Sequence, residues 1–196
     1  ICSSPIQEVS DATHEFLIEQ LRIYWLVGGM PECVDVYIST NSIKSATEVQ
    51  DEIIETYQLD FNKYRPKTET NCLKTVFSSV ASQVGLQIKY TGLASDFTIP
   101  TIKKAFESIQ LARIAAKIKA VSSPGIPLEV KASDKKFKSI FLDIGLMNRT
   151  IVFEYNEAIM HKNLLAIYKG QLAEQIVGQD FEALDRRQLF YWARDA

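Results

Sequence analysis

An α+β fold, mostly helical, built around a winged helix-turn-helix-like unit, is predicted by three patterns in the sequence. Apolar residues recur at three- and four-residue steps through much of residues 11 to 110; RIAAKIKAV alternates and is followed by SSPGIP and LEVKA; and LFYW stands near the end of the chain. The first pattern is that of helices burying one stripe, the second that of a hairpin, and the third that of a buried strand.

Phe16, Leu17, Leu21, Tyr24 and Trp25 fall on one face of a first helix, with Ser10 or Asp11 as its cap. Gly28 and Gly29 close it, and Pro31 opens the next helix, where a missing N–H costs nothing. A short helix from Pro31 to Tyr37 is followed by a longer one carrying Val49, Ile53, Ile54, Tyr57 and Phe61, which ends before Pro66. Asn71 is the expected cap of a helix bearing Leu73, Val76, Phe77 and Val80, and Gly85 its terminator. In TIPTIKKAFESIQ, Pro100 marks a helix start, and Ile102, Ala105, Phe106 and Ile109 form the inward stripe. The hairpin comes next, then FKSIFLDIGL as a further strand and helix start. Helices at EYNEAIM and GQLAEQIVGQDFEAL and a closing strand complete the reading. A seam is expected between residues 149 and 167.

Composition narrows the classes of function. A chain of 196 residues, 46% of them hydrophobic, can bury a sizeable core. No run approaches the roughly 18 apolar residues that span a bilayer, and the first residues lack a signal-peptide layout. No membrane partner and a cytoplasmic location are therefore expected. Three widely spaced cysteines without a CxxC point to neither a disulfide framework nor a thiolate zinc site, and only two histidines are present. Net charge is −2 but unevenly spread, with an acidic first third and a basic stretch between residues 101 and 140. Such a stretch can meet phosphate, an acidic partner, or the chain's own acidic part.

Four stretches in order, GGMPECVDVYI, EVQDEIIETYQLDFNKY, FKSIFLDIGLMN, and GQLAEQIVGQDFEAL leading to FYWARDA, carry a resemblance that covers most of the chain. Together they resemble the C-terminal module, of undefined function, that follows the P-loop core in predicted prokaryotic AAA-type ATPases. The resemblance implies a helical segment at 1–70 following the ATPase core, a winged-helix-like unit at 71–152, and at 153–196 the first helix and strand of a nuclease-like α/β domain. In that family the chain runs on into motifs similar to the PD-(D/E)xK nuclease fold, so the nuclease carboxylates are expected beyond Ala196. Glu174 matches the helix carboxylate that nuclease-like members place near the metal, an incomplete site by itself. No GxxxxGK[ST] occurs here, so no loop of this chain can cradle a triphosphate. ATP and Mg are implied for the parent protein and no cofactor for this chain.

Lys103, Lys104, Lys117, Lys119 and Lys131 are the candidate nucleic-acid contacts, since lysines neutralise phosphates without reading sequence. Base reading calls for Arg, Asn or Gln, and only Gln110 and Arg113 supply it, late in the helix. The alternative for the same unit is protein docking. Glu154, Glu157 and His161 share one side of a helix, and Asp60, Lys63 and Arg65 cluster at a helix end; both sets read as solvated charge. Asp143 stands just ahead of a helix, where its carboxylate can cap. Two functions stay open: a non-catalytic accessory region that docks protein or nucleic acid, and part of a metal-dependent nuclease completed elsewhere in the parent.

Overall fold

The computed structural model describes residues 10–63, 67–122, 127–154, 169–184 and 188–194. Among them the order is α1 (Asp11–Val27), α2 (Pro31–Thr40), α3 (Ile43–Lys63), α4 (Lys67–Ser82), α5 (Ile99–Leu111), β1 (Ala115–Val121), β2 (Ala132–Phe141), α6 (Ile144–Glu154), α7 (Lys169–Leu184) and β3 (Phe190–Trp192). The fold is α+β and mostly helical, with one small sheet. None of the described helices is long and apolar enough to cross a membrane.

Local chemistry sets the helix ends. Ser10 caps α1 by accepting from the Thr13 N–H at 3.3 Å. Gly28, at φ 73° and ψ −164°, ends that helix, and Pro31 begins α2 in the first turn. The α1 stripe is covered only toward its C-terminal end: Phe16 is 58% and Leu17 51% exposed, whereas Val27 is buried. Asn71 is not a cap. Helix α4 already starts at Lys67, which places Asn71 inside it. In α5 the four predicted stripe residues, Ile102, Ala105, Phe106 and Ile109, are the buried ones.

β1 and β2 form an antiparallel hairpin in which Ala115 faces Phe141 and Lys119 faces Phe137. LEVKA is not its second strand. Leu128–Lys131 is a turn of 3₁₀ helix, and one longer strand, β2, takes the place of the two short ones expected. Beyond Phe137 the register jumps, so that Ala120 faces Ser133 and residues Asp134 to Lys136 bulge from the ladder. The closing strand has a partner: β3 runs parallel to β1, Tyr191 beside Ala120, giving the order β2-β1-β3. It is half-covered rather than buried, with Trp192 62% exposed.

One apolar cluster runs through the molecule. Ile54 and Phe61 of α3, Phe77 of α4, Phe106 of α5, Phe137 and Phe141 of β2 and Leu172 of α7 all belong to it. Phe77 meets Phe61 and Phe141 edge to face at 5.8 and 5.6 Å between ring centres, a favourable quadrupole arrangement. Burying each such side chain is worth about 1.5–3 kcal/mol. A second cluster, Val27, Cys33 and Ala46, holds the α1–α2–α3 corner. The sheet lies between these helices and α7. Ala115, Lys117, Lys119 and Phe137 share the face toward α5, and Ile118, Lys138 and Ile140 the face toward α7.

Candidate functional site

The predicted lysines fall into three groups. Lys117 and Lys119 are neighbours on the α5-side face of β1, and Lys103 of α5 joins them through Tyr90. The Lys103 Nζ lies 5.3 Å from the centre of the Tyr90 ring, and the Lys117 Nζ donates to the Tyr90 hydroxyl at 3.0 Å. Lys117 is also 4.9 Å from the centre of the Phe137 ring. Lys104 stands apart, exposed beside a small hollow that it lines with Glu69, Pro100 and Thr101. Lys131 lies in the 3₁₀ turn at the base of β2, and its side chain is outside the described residues.

The β1 lysines are not an open comb. Lys117 has a side chain only 11% exposed, because its stem lies over Phe137 and its ammonium reaches the rim. Asp134, in the bulge of β2, turns back to both: its Oδ1 is 2.9 Å from Lys119 Nζ and 3.7 Å from Lys117 Nζ. The hydrogen bond from Lys119 holds the Asp134 carboxyl below the usual carboxylate range. Asp134 is itself 73% exposed, so the three charges meet at the surface. Lys89, next to Tyr90, and Lys135, next to Asp134, are exposed alongside in the chain. Asp134 and Tyr90 were not legible as site residues. Only long-range pairing brings them to the lysines: the register jump of the hairpin for Asp134, and the Ile88–Phe137 bridge just before Tyr90 for the tyrosine.

Glu174 faces the opposite side of the sheet. Both of its carboxylate oxygens accept from Lys138 Nζ, at 2.7 and 2.6 Å, and the same ammonium lies 5.3 Å from the centre of the Tyr191 ring. Helix α7 and strand β3 are therefore adjacent here, flanking an apolar groove of about 460 Å³ with Val177 and Phe181 on its rim. A carboxylate held by an ammonium has its charge already met, and a metal ion would have to displace Lys138. Among the described residues no three His, Cys, Asp or Glu side chains gather in a way that could hold a metal. Glu157, His161 and Arg65 lie outside the described residues, as do the side chains of Glu154 and Lys63.

The two most recognisable stretches, GGMP and FLDIGL, meet in space. Asp143 caps α6 by accepting from the Leu146 N–H at 2.9 Å through Oδ1, while Oδ2 accepts from the Gly29 N–H at 2.7 Å. The capping role predicted for it is present, and it also ties α6 to the α1–α2 corner. Burial raises its carboxyl above the ordinary range, outweighing the stabilising N–H donors. Space explains the glycines: a Cβ on Gly145 would lie 2.7 Å from the Gly28 nitrogen and 2.6 Å from Gln50 Nε2. That Gln50 amide donates to the carbonyls of Leu26 and Val27 at 2.8 and 2.9 Å, satisfying the end of α1. Asn148 donates to the Trp25 carbonyl at 2.7 Å, and Arg149 forms a two-pronged pair with Asp51 at 2.6 and 2.7 Å. These groups lock α1, α3 and α6 together.

Between this corner and the C-terminal half of α7 lies a cleft of about 760 Å³, whose polar lining includes Gln110, Arg113, Gln179 and Glu182. Gln110 and Arg113, the residues with base-reading chemistry, line this cleft together with Lys117. Arg113 takes a left-handed backbone, φ 57°, at the turn from α5 into β1.

Comparison with known proteins yields no match among curated proteins and none among solved structures. A family model does match, over residues 18–157, which takes in the GGMP corner, the α5–hairpin unit and the whole Asp143 junction. The chain belongs to the family described as Domain of unknown function (DUF8612).

Proposed function

We propose that the chain is a non-catalytic accessory region of an AAA-type ATP-binding protein, cytoplasmic and prokaryotic, that docks nucleic acid through the basic face of its hairpin. In this reading residues 1–70 adjoin the ATPase core, 71–152 act as a winged-helix-like unit, and 153–196 open a nuclease-like domain. ATP and Mg act in the parent. The observation that carries the docking reading is the gathering of Lys103 and Lys117 at Tyr90 and of Lys117 and Lys119 at Asp134, with Lys89 and Lys135 exposed next to those two residues in the chain. Lysines in this number supply salt-dependent, sequence-tolerant attraction to phosphates, the ordinary chemistry of backbone contact.

The test is fluorescence anisotropy with a labelled duplex over a salt series beginning near about 50 mM. Binding that weakens steeply with salt and is lost in Lys103→Glu/Lys119→Glu is the expected result. No binding at the lowest salt, or binding that ignores both substitutions, overturns the reading.

The nuclease reading has one observation in its favour, the placement of Glu174 beside β3 at the edge of a groove. It requires a metal to take Lys138's place and further carboxylates from the parent. Magnesium-dependent cleavage of DNA by the parent protein, abolished by Glu174→Gln, would establish it; cleavage indifferent to that change, or none, would dismiss it.

A further inference from the structure

We propose that the position between the Lys117 and Lys119 ammonium groups, beside the Tyr90 hydroxyl, is a seat for one phosphate group of a nucleic-acid backbone, and that Asp134 occupies it in the free protein. The proposal rests on the docking reading above and adds the place and the manner of contact.

Three features lead to it. Asp134 presents a carboxylate to two ammonium groups at once, at 2.9 and 3.7 Å, which is the way a phosphate oxygen sits between a pair of lysines. Lys117 is fixed from behind by the Tyr90 hydroxyl at 3.0 Å and by the Phe137 ring, so its ammonium is oriented before any ligand arrives. Asp134, in contrast, stands at the surface. It is 73% exposed and belongs to the three-residue bulge of β2, outside the regular ladder, so its carboxylate can swing away without breaking strand pairing. An exposed ion pair of this kind is weak enough for a polyanion to displace.

The occupant is a nucleic acid rather than an acidic protein because the surrounding cations come from successive elements that share partners. Lys103 of α5 and Lys117 of β1 meet at Tyr90, Lys117 and Lys119 meet at Asp134, and Lys135 is exposed in the same bulge, a succession of charges that suits a regularly charged backbone. The exchange is one of ion-pair partners only: the Asp134 carboxylate leaves the two ammonium groups for water, and a phosphate takes its place.

The experiment compares wild type, Asp134→Asn and Asp35→Asn by anisotropy with a labelled duplex at low salt. Asp35 is an exposed residue of α2 that controls for the added unit of net charge. Asp134→Asn is expected to bind about threefold more tightly than the Asp35→Asn control, the effect of removing one exposed competing ion pair. Equal affinities for the two variants overturn the seat while leaving nucleic-acid docking intact. No binding by any of the three overturns both, as does capture of an acidic peptide in place of DNA. A second reading comes from carbon-detected NMR of the Asp134 carboxyl. Its titration midpoint should rise toward the ordinary carboxylate value when DNA is added, and a midpoint that stays low in the complex shows that the carboxylate never left.

Discussion

Gly28→Ala isolates the junction between the GGMP corner and the start of α6. Two costs add. At φ 73° and ψ −164° the backbone occupies a region essentially reserved for glycine, and a side chain there costs roughly 1–3 kcal/mol. The new methyl would also overlap Asp143 Oδ1 and lie 2.8 Å from its Cγ, forcing the carboxylate off the Gly29 and Leu146 N–H groups. Hydrogen bonds to a charged acceptor are worth about 1.5–3 kcal/mol each, so losing one of them and straining the backbone sums to about 2.5–6 kcal/mol. For a chain of this size that is roughly 5–20 °C in Tm. Urea unfolding followed by circular dichroism measures it, with the midpoint falling and the slope unchanged. Gly29→Ala is the control, because its added Cβ meets nothing closer than 3.6 Å. A loss below about 1 kcal/mol in Gly28→Ala, within the range of an ordinary surface change, or an equal loss in Gly29→Ala, refutes the mechanism.

Three other outcomes follow from the same coordinates. Gly178→Ala places a methyl 2.5 Å from Ile140 Cδ1, so it should destabilise by about 1–3 kcal/mol alone, and Ile140→Val should recover part of that in the double variant; strict additivity counts against the contact. In a Cys2→Ser background no thiol should react with a disulfide reagent at neutral pH until the protein unfolds, since Cys33 and Cys72 are buried and burial pushes the Cys33 thiol up to about 11; prompt labelling of either contradicts the packing. The two aspartates should titrate on opposite sides of the usual carboxylate value, Asp143 above and Asp134 below, as followed by carboxyl chemical shifts. The stability signs are opposite too. Charging buried Asp143 removes stability as pH rises through its raised folded value, whereas Asp134 contributes stability that is lost as pH falls through its lowered one; the reverse order of midpoints would refute both assignments.

The helices were legible because their signals are local. The stripe of α5, the Ser10 cap and the Gly28–Pro31 corner each depend on residues within a turn or two of one another. Asn71 misled because a capping residue type also sits inside helices when its surroundings allow, and α4 had already begun at Lys67. The sheet was less legible. A three-residue strand that pairs parallel with β1, some 70 positions earlier in the chain, leaves no short-range mark, and neither does the bulge at Asp134. Both are decided by what α7 and α5 leave uncovered.

The same distinction governs the candidate site. Alternation in RIAAKIKAV separates lysines from alanines and isoleucines, and a two-sided strand would ordinarily place the lysines in water. Here both faces are covered. Lys117 and Lys119 share their face with Phe137, and it is the length of the lysine stem that lets an ammonium reach the rim from among core residues. Counting charges along the sequence finds the basic stretch correctly but cannot tell a free cation from one already answered. Lys138 is answered by Glu174, and Lys117 and Lys119 share a single exposed carboxylate. The first of these pairs draws both oxygens of one acid onto one ammonium. The second sets two ammonium groups against one exposed acid, and it is on this imbalance, which favours an incoming anion with more negative charge than a carboxylate, that the proposed phosphate seat rests.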